Sequence, residues 1–535
     1  MLGGFMLTGI PWALPALGGD WQYESKGVFG LLCSTFVCLA VSLIFWRLGR
    51  GMEEYFSKKD AIAVVGLSWI LATLLGALPY LLAGACRAEG VPMNVFDALF
   101  ETQSGFSTTG ATVFSTVERP DLLPRCILFW RLSTHFLGGL GIMILFVVLL
   151  GYGTGTAADI KGVVRSEMTG PSRSSPSERI RYMARIVFTI YVFLNIIQTT
   201  LLYLQGLTLF DALCHSFSTV STGGLSTFDA SAGHFASHGY PHAATIEWTL
   251  ITFMILGGTN FILLYWVFKR QPKKLYRDPE WRTYIGVIMI ATTVIFISGT
   301  INRDFDNFGT SNLPSYVPPD TAADPTEIVA PQRTDLPAVT AFRVSVFQVV
   351  SILTTTGLCT DEYEKWSGLS CGIILLLMFL GGCAGSTSGG FKMIRFVCLM
   401  KALPQEIERA FRPNVVRPIL VGGTPMDRDI VRQIMIHFVM LTTIFIVGTF
   451  LVLLLEPLST WGTQPVAGDR KLIDTASAVA SCLNNVGPGL GLIGARQNFG
   501  VFSEASKFIF TWLMMIGRLE MFVILSLFQP GFWRK

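Results

Sequence analysis

Runs of hydroxyl side chains end in glycine at three places in this chain: Ser107-Thr108-Thr109-Gly110, Ser221-Thr222-Gly223 and Thr354-Thr355-Thr356-Gly357. A fourth run, Asn484-Asn485-Val486-Gly487, ends the same way with amides in place of hydroxyls. Glycine enters left-handed backbone regions freely, so a strand containing it can turn successive carbonyl oxygens toward one side. Hydroxyls next to the glycine add further oxygens or tie the strand to its neighbours. Four such strands around one axis make a ring of oxygens that replaces the water around a hard monovalent cation. The chemistry these residues suit is ion passage. The candidate ligand set is Thr108, Thr109, Gly110, Ser221, Thr222, Gly223, Thr355, Thr356, Gly357, Asn485, Val486 and Gly487.

The elements that must position these turns repeat with them. Upstream of each comes a short helix start, FDALFETQ from Phe96, FDALCHSF from Phe210, FRVSVFQV from Phe342 and IDTASAVA from Ile473. Downstream, about one span later, comes a small-residue break at Gly138–Gly139, Gly257–Gly258, Gly381–Gly382 and Gly517. Registration at three points marks an internal repeat. Half-helices running into the turns aim the negative ends of their dipoles at the membrane centre, which favours a cation there. Asp97, Asp211 and Asp474 stand where a carboxylate caps free amides, and Arg343 replaces them in the third unit. GLGLIG at Gly489–Gly494 matches a dinucleotide fingerprint but follows no strand, so it is a chance match.

Composition sets the solvent. The chain is 51% apolar and 14% charged with a mean hydropathy of +0.53, whereas a soluble domain carries roughly 25% charge. Runs of about 20 apolar residues occur near 27–46, 62–84, 126–151, 184–205, 247–268, 283–301, 370–400, 433–455 and 505–528. Residues 1–18, interrupted by Pro11 and Pro15, are read as a retained helix instead of a cleaved signal. Basic clusters at 47–59, 161–185, 269–277 and 401–417 mark cytoplasmic loops, and the acidic, proline-rich 302–338 linker lies outside. That topology brings all four glycine turns in from the outer face. The net charge of +4 sits in these loops and gives no sign of nucleic-acid binding. The ten cysteines lack paired spacing and read as small hydrophobes. His135, His215 and His437 are separate, while His234, His238 and His242 share one outer loop that reads as solvated surface.

These residues resemble the Trk/Ktr/HKT superfamily of potassium transporters, most closely its TrkH-type branch. The resemblance covers nearly the whole chain, and NNVGPG and the downstream GRLE are its most specific strings. It implies that Gly110, Gly223, Gly357 and Gly487 line the ion path, and that an N-terminal helix pair precedes four pore units. Arg343 and the shortness of residues 1–18 depart from the family pattern.

Control of the ion is expected in the last two units. GGCAGSTSGGFK at 381–392 cannot remain helical in lipid unless its freed backbone groups face protein or water. The resemblance implies a gating loop formed by Gly381, Gly382, Cys383, Ala384, Gly385, Ser386, Thr387, Ser388, Gly389 and Gly390; a packing face of small residues is the alternative. Arg518, inside the last apolar run, would cost about 2.5–3.5 kcal/mol on insertion scales if unpartnered. It is expected beside the loop as an electrostatic barrier, with a structural salt bridge as the alternative and Glu520 poorly placed to supply it. Lys392 is a weaker candidate.

The expected fold is an all-α polytopic membrane protein with four pseudo-symmetric helix–pore-loop–helix repeats around a central pore. The units are a helix pair at 1–58 and repeats at 59–155, 156–275, 276–412 and 413–535. The expected function is potassium uptake through a channel-like pore in the inner membrane, with no catalysis. A sodium-coupled or sodium-permeable relative is the alternative, and a secondary transporter of a small organic substrate is the alternative from another class. The chain needs no cofactor, and potassium is its substrate. The resemblance implies a homodimer and a cytoplasmic, TrkA-type regulatory ring that binds a nucleotide such as NAD or ATP. Loops 153–183 and 401–428 are its expected docking surface.

Overall fold

The computed structural model describes residues 1–50, 58–151, 176–305, 337–412, 418–461, 467–519 and 521–534. Residues 306–336 of the 302–338 linker, 153–175 of loop 153–183, 413–417 of loop 401–428, and Glu520 lie outside the described residues. Apolar runs become helices because lipid leaves backbone groups no partner but each other. Among the described residues, five helices are long and apolar enough to cross a bilayer: Trp21–Leu48, Ile62–Leu82, Tyr182–Leu204, Pro279–Asn302 and Arg428–Leu455. Arg125–Gly151 is a further helix of 27 residues.

The other three expected spans are broken, the first two where small residues cluster. Ala243–Gly257 and Phe261–Phe268 meet at 106°, and Asn260 caps the second piece by accepting the Ile262 N–H. Gly368–Leu377 and Met393–Phe411 are separated by the glycine-rich loop. Glu504–Arg518 and Met521–Leu527 form the last pair. Residues 1–18 also depart from the single helix expected there. Only Leu2–Leu7 is α-helical, and 3-10 turns follow at Ile10–Ala13 and Pro15–Leu17, because Pro11 and Pro15 have no N–H to continue the ladder. This short helix packs on Trp21–Leu48, with the Thr35 hydroxyl 3.3 Å from the Gly3 carbonyl.

Four half-helices point inward: Val95–Phe106, Leu209–Val220, Pro337–Leu353 and Ala467–Asn484. The last two begin before Phe342 and Ile473, so Arg343 and Asp474 lie inside them. Asp474 is therefore not a cap; its carboxylate accepts the Trp461 indole N–H at 3.0 Å. Asp97 closes a capping box with Asn94, and Asp211 accepts the hydroxyl of the capping Thr208 at 2.6 Å.

Packing closes the four units into a ring. One apolar core joins the first and fourth units through Phe100, Phe106, Trp130, Phe499 and Phe510, and a second joins the middle two through Leu250 and Met254 of the second unit and Tyr284, Phe347 and Met378 of the third. Two buried ion pairs link neighbouring units. Arg343 on the third half-helix meets Glu247 on the second unit's following helix at 2.6 Å. Asp97 on the first half-helix meets Lys507 on the fourth unit's following helix, also at 2.6 Å.

Candidate functional site

The four turns converge at one level, and their backbones repeat. Thr108, Thr222, Thr355 and Asn485 hold φ between 50° and 57°, and two residues on Gly110, Gly224, Gly357 and Gly487 hold φ between 80° and 104°. The second turn is thus shifted by one from the alignment on Gly223. Two consecutive glycines stand there, and composition alone does not choose between them. Gly223 takes the place that Thr109, Thr356 and Val486 have in the other turns.

A side chain on these glycines would meet the neighbouring turn in cyclic order. A Cβ on Gly110 would lie 2.3 Å from the Gly223 carbonyl oxygen, and one on Gly224 2.0 Å from that of Thr356. One on Gly357 would lie 2.1 Å from the Val486 oxygen, and one on Gly487 2.5 Å from that of Thr109. Each turn therefore packs against the next, and the fourth against the first. A Cβ at these glycines is opposed by both the positive φ of 80° to 104° and the close carbonyl.

A serine in each half-helix fixes its turn, a feature the sequence reading missed. Ser104, Ser218, Ser351 and Ser481 stand four residues before the left-handed position. Their carbonyls accept the N–H groups of Thr109, Gly223, Thr356 and Val486 at 2.7–2.9 Å. Three of the hydroxyls also donate to the outgoing strand, to Ala111 and Leu358 at 2.6 Å and Gly487 at 2.7 Å. The signal was present as one Ser at a constant offset in every unit. His135 holds the second turn from behind: its Nε2 accepts the Leu225 N–H at 3.2 Å, and so its Nδ1 donates to the Gly105 carbonyl at 2.8 Å.

In the fourth unit Asn485 replaces threonine and bridges units. Its amide nitrogen donates to the Thr109 hydroxyl at 3.0 Å and the Met514 carbonyl at 2.9 Å. The Thr108 hydroxyl and the side-chain oxygens of Asn484 and Asn485 are buried and have no partner among the described residues. These oxygens lie at the inner end of the turns.

The 381–390 loop sits directly beneath. Gly389 donates its N–H to the Thr355 hydroxyl at 2.7 Å, and a Cβ there would be 2.8 Å from the Asn484 carbonyl. Ser386 donates to the Cys383 carbonyl at 2.6 Å and so accepts from the Ser388 hydroxyl at 2.8 Å. Thr387 donates to the Val220 carbonyl at 2.8 Å. The Lys392 ammonium bonds the Ser388 carbonyl. Arg518, 3% exposed, donates from Nη1 to the Thr387 carbonyl at 2.7 Å. Its Nε and Nη2 have no partner among the described residues, and the guanidinium brings a positive charge to the loop.

Above the ring a vestibule is floored by Gly110, Gly224, Gly357 and Gly487 and walled by Asp229 and Arg496. Beside it, His234 is stacked between Phe228 at 3.7 Å and His238 at 3.8 Å. Burial and the neighbouring His238 lower its pKa to about 4. Its 3.6 Å contact with Glu118 is therefore no ion pair at neutral pH. Burial pushes the Glu118 carboxyl upward. The GLGLIG stretch is a 3-10 turn at Gly491–Ile493, with no strand leading into it.

Known proteins share this arrangement. The model of the TrkH family, described as cation transport proteins, matches residues 32–534. The Trk system potassium uptake protein TrkH of Salmonella typhimurium is 33% identical over 503 residues, 94% of this chain and 91% of that protein. TrkH of Vibrio parahaemolyticus is 31% identical over 535 residues, 99% of this chain and 97% of that protein. The crystal structure of the potassium transporter TrkH from Vibrio parahaemolyticus superposes with a TM-score of 0.78 at 30% identity, covering 100% of this chain and 97% of that one. This chain is a multi-pass membrane protein and belongs to the TrkH family of cation transport proteins.

Proposed function

We propose that the chain takes up potassium through the ring of turns, which acts as a selectivity filter, and that the 381–390 loop with Arg518 gates the path below it. The observation that carries this reading is the cyclic contact of Gly110, Gly224, Gly357 and Gly487 with the carbonyls of the next turn. Such contact leaves oxygens as the lining and no side chain in the way. The names of the relatives, all Trk system potassium uptake proteins, favour potassium over sodium.

A loop bonded to Thr355 and faced by an arginine blocks a cation both sterically and electrostatically. Movement of the loop relieves both. Regulation by a TrkA-type nucleotide-binding ring, with docking on the basic cytoplasmic loops, and assembly as a homodimer in the inner membrane complete the proposal. Rubidium uptake in cells lacking their own potassium uptake tests it. Expression of this chain with its regulatory partner restores uptake, and Gly110→Ser or Gly357→Ser lowers the preference for potassium over sodium. Well-folded protein that restores no uptake contradicts the reading.

A further inference from the structure

The 381–392 loop has no helical ladder, so its backbone groups need partners elsewhere. Many come from the segment that runs from the 106° break to the start of the next span. At the break, Gly258 O accepts the Cys383 N–H at 2.8 Å and Gly257 O the Thr387 N–H at 3.1 Å, while Phe261 donates its own N–H to Gly385 O at 3.1 Å. These are groups that the interrupted helix leaves over. They hold the middle of the loop.

Its ends are held by one carboxylate. Glu280 Oε1 accepts the Ala384 N–H at 2.6 Å and the Ile394 N–H at 3.0 Å, joining residues on both sides of the Ser386–Gly389 apex. Glu280 is 6% exposed, a costly position for a carboxylate without strong partners. It is not needed to cap its own helix, since Asp278 does this by accepting the Trp281 N–H at 2.8 Å. Its bonds go to the loop instead. Here a single carboxyl oxygen accepts both bonds.

We infer that Glu280 is a positioning residue that pins both ends of the loop in the arrangement that closes the path; the word closes rests on the gate reading above, and the pinning does not. Loss of the carboxylate frees two amides and lets the loop leave Thr355 and Arg518.

Cys383 reports this directly. It is fully buried within the loop, and Cys482, equally buried in the fourth half-helix, serves as a control for general loosening. In the purified full chain, alkylation at each cysteine is followed by peptide mapping for wild type, Glu280→Gln and Glu280→Ala, with potassium flux measured in liposomes. Glu280→Ala is expected to raise the Cys383 rate about tenfold, the effect of losing a pair of ordinary hydrogen bonds, with Cys482 unchanged and flux increased. Glu280→Gln keeps an acceptor oxygen and gives a smaller rise. An unchanged Cys383 rate in both variants, or parallel rises at Cys383 and Cys482, overturns the proposal. A faster Cys383 with unaltered flux supports the pinning and contradicts the gate reading.

Discussion

Gly224 has φ +85° and a carbonyl 2.0 Å from where its Cβ would be, whereas Gly223 lacks the positive φ and carries the carbonyl that faces Gly110. Gly224→Ser therefore lowers the potassium-to-sodium permeability ratio as Gly110→Ser does; ratios unchanged from wild type would contradict the register. The outer loop supplies a second prediction at this scale. An exposed imidazole takes a proton near pH 6.5, while that of His234 in the folded loop does so at about 4. The open form is thus protonated first as pH falls. Local stability is complete above about 6.5 and is lost progressively toward 4. Hydrogen-exchange protection of residues 228–238 falls over that range, and His234→Phe, which keeps the stack, flattens the profile. Much of this was legible in the sequence, because a glycine that must be glycine recurs in every unit. The register of the second turn was not, since a GG pair satisfies the pattern either way. Nor was the pairing of Ser104, Ser218, Ser351 and Ser481 with their turns, because serine mid-helix most often just bonds back to its own helix.

The helices after the turns depend on glycine for a different reason, the close approach of two helices. A Cβ on Gly138 would lie 2.0 Å from the Phe106 carbonyl, and one on Gly517 1.9 Å from that of Leu483, each at the end of a half-helix. Gly517→Ala pushes the last span off the fourth half-helix and costs about 1–3 kcal/mol, the usual range for overpacking. A thermal unfolding temperature equal to wild type would show that the contact relaxes without cost. The third unit has the same small residues, but a Cβ on Gly381 would lie 2.2 Å from Gly389 O, so the chain packs on itself and the helix opens into a loop. Hydropathy located these elements well and located breaks poorly. It responds to apolar content, and the 247–268 run stays apolar across a 106° bend that only Gly257, Gly258 and Asn260 betray. The N-terminal segment failed as a helix for the converse reason, its prolines outweighing its apolar content.

Across the molecule, the two buried ion pairs occupy equivalent places with opposite polarity. Glu247 and Lys507 each stand ten residues before the glycine of their unit, Gly257 and Gly517. Each reaches the half-helix of the next unit around the ring, at Arg343 and Asp97. Arg343, an exception in the sequence alignment, is thus one half of a reversed pair, and its partner lies 96 residues away, beyond the reach of local patterning. Lys507→Met leaves the buried Asp97 with its Asn94 cap and, as a cation, Arg87 at 3.6 Å and costs about 3 kcal/mol, as removal of one partner from a buried pair does. Lys507→Glu combined with Asp97→Arg copies the polarity of the other junction and recovers part of the loss in thermal unfolding; no loss in the single variant would mean that the pair does not hold the ring closed. The fourfold architecture itself was legible, since three registers per unit left one arrangement, whereas its closure through the first and fourth units was a matter of packing. On the proposed reading all these features serve one oxygen-lined path. The most direct test is the flux of potassium and of sodium through the purified chain in liposomes, for wild type and Gly224→Ser. Potassium flux well above sodium flux in wild type, with the gap narrowed in Gly224→Ser, is the expected result; equal fluxes in wild type, or a gap that Gly224→Ser leaves intact, would contradict it.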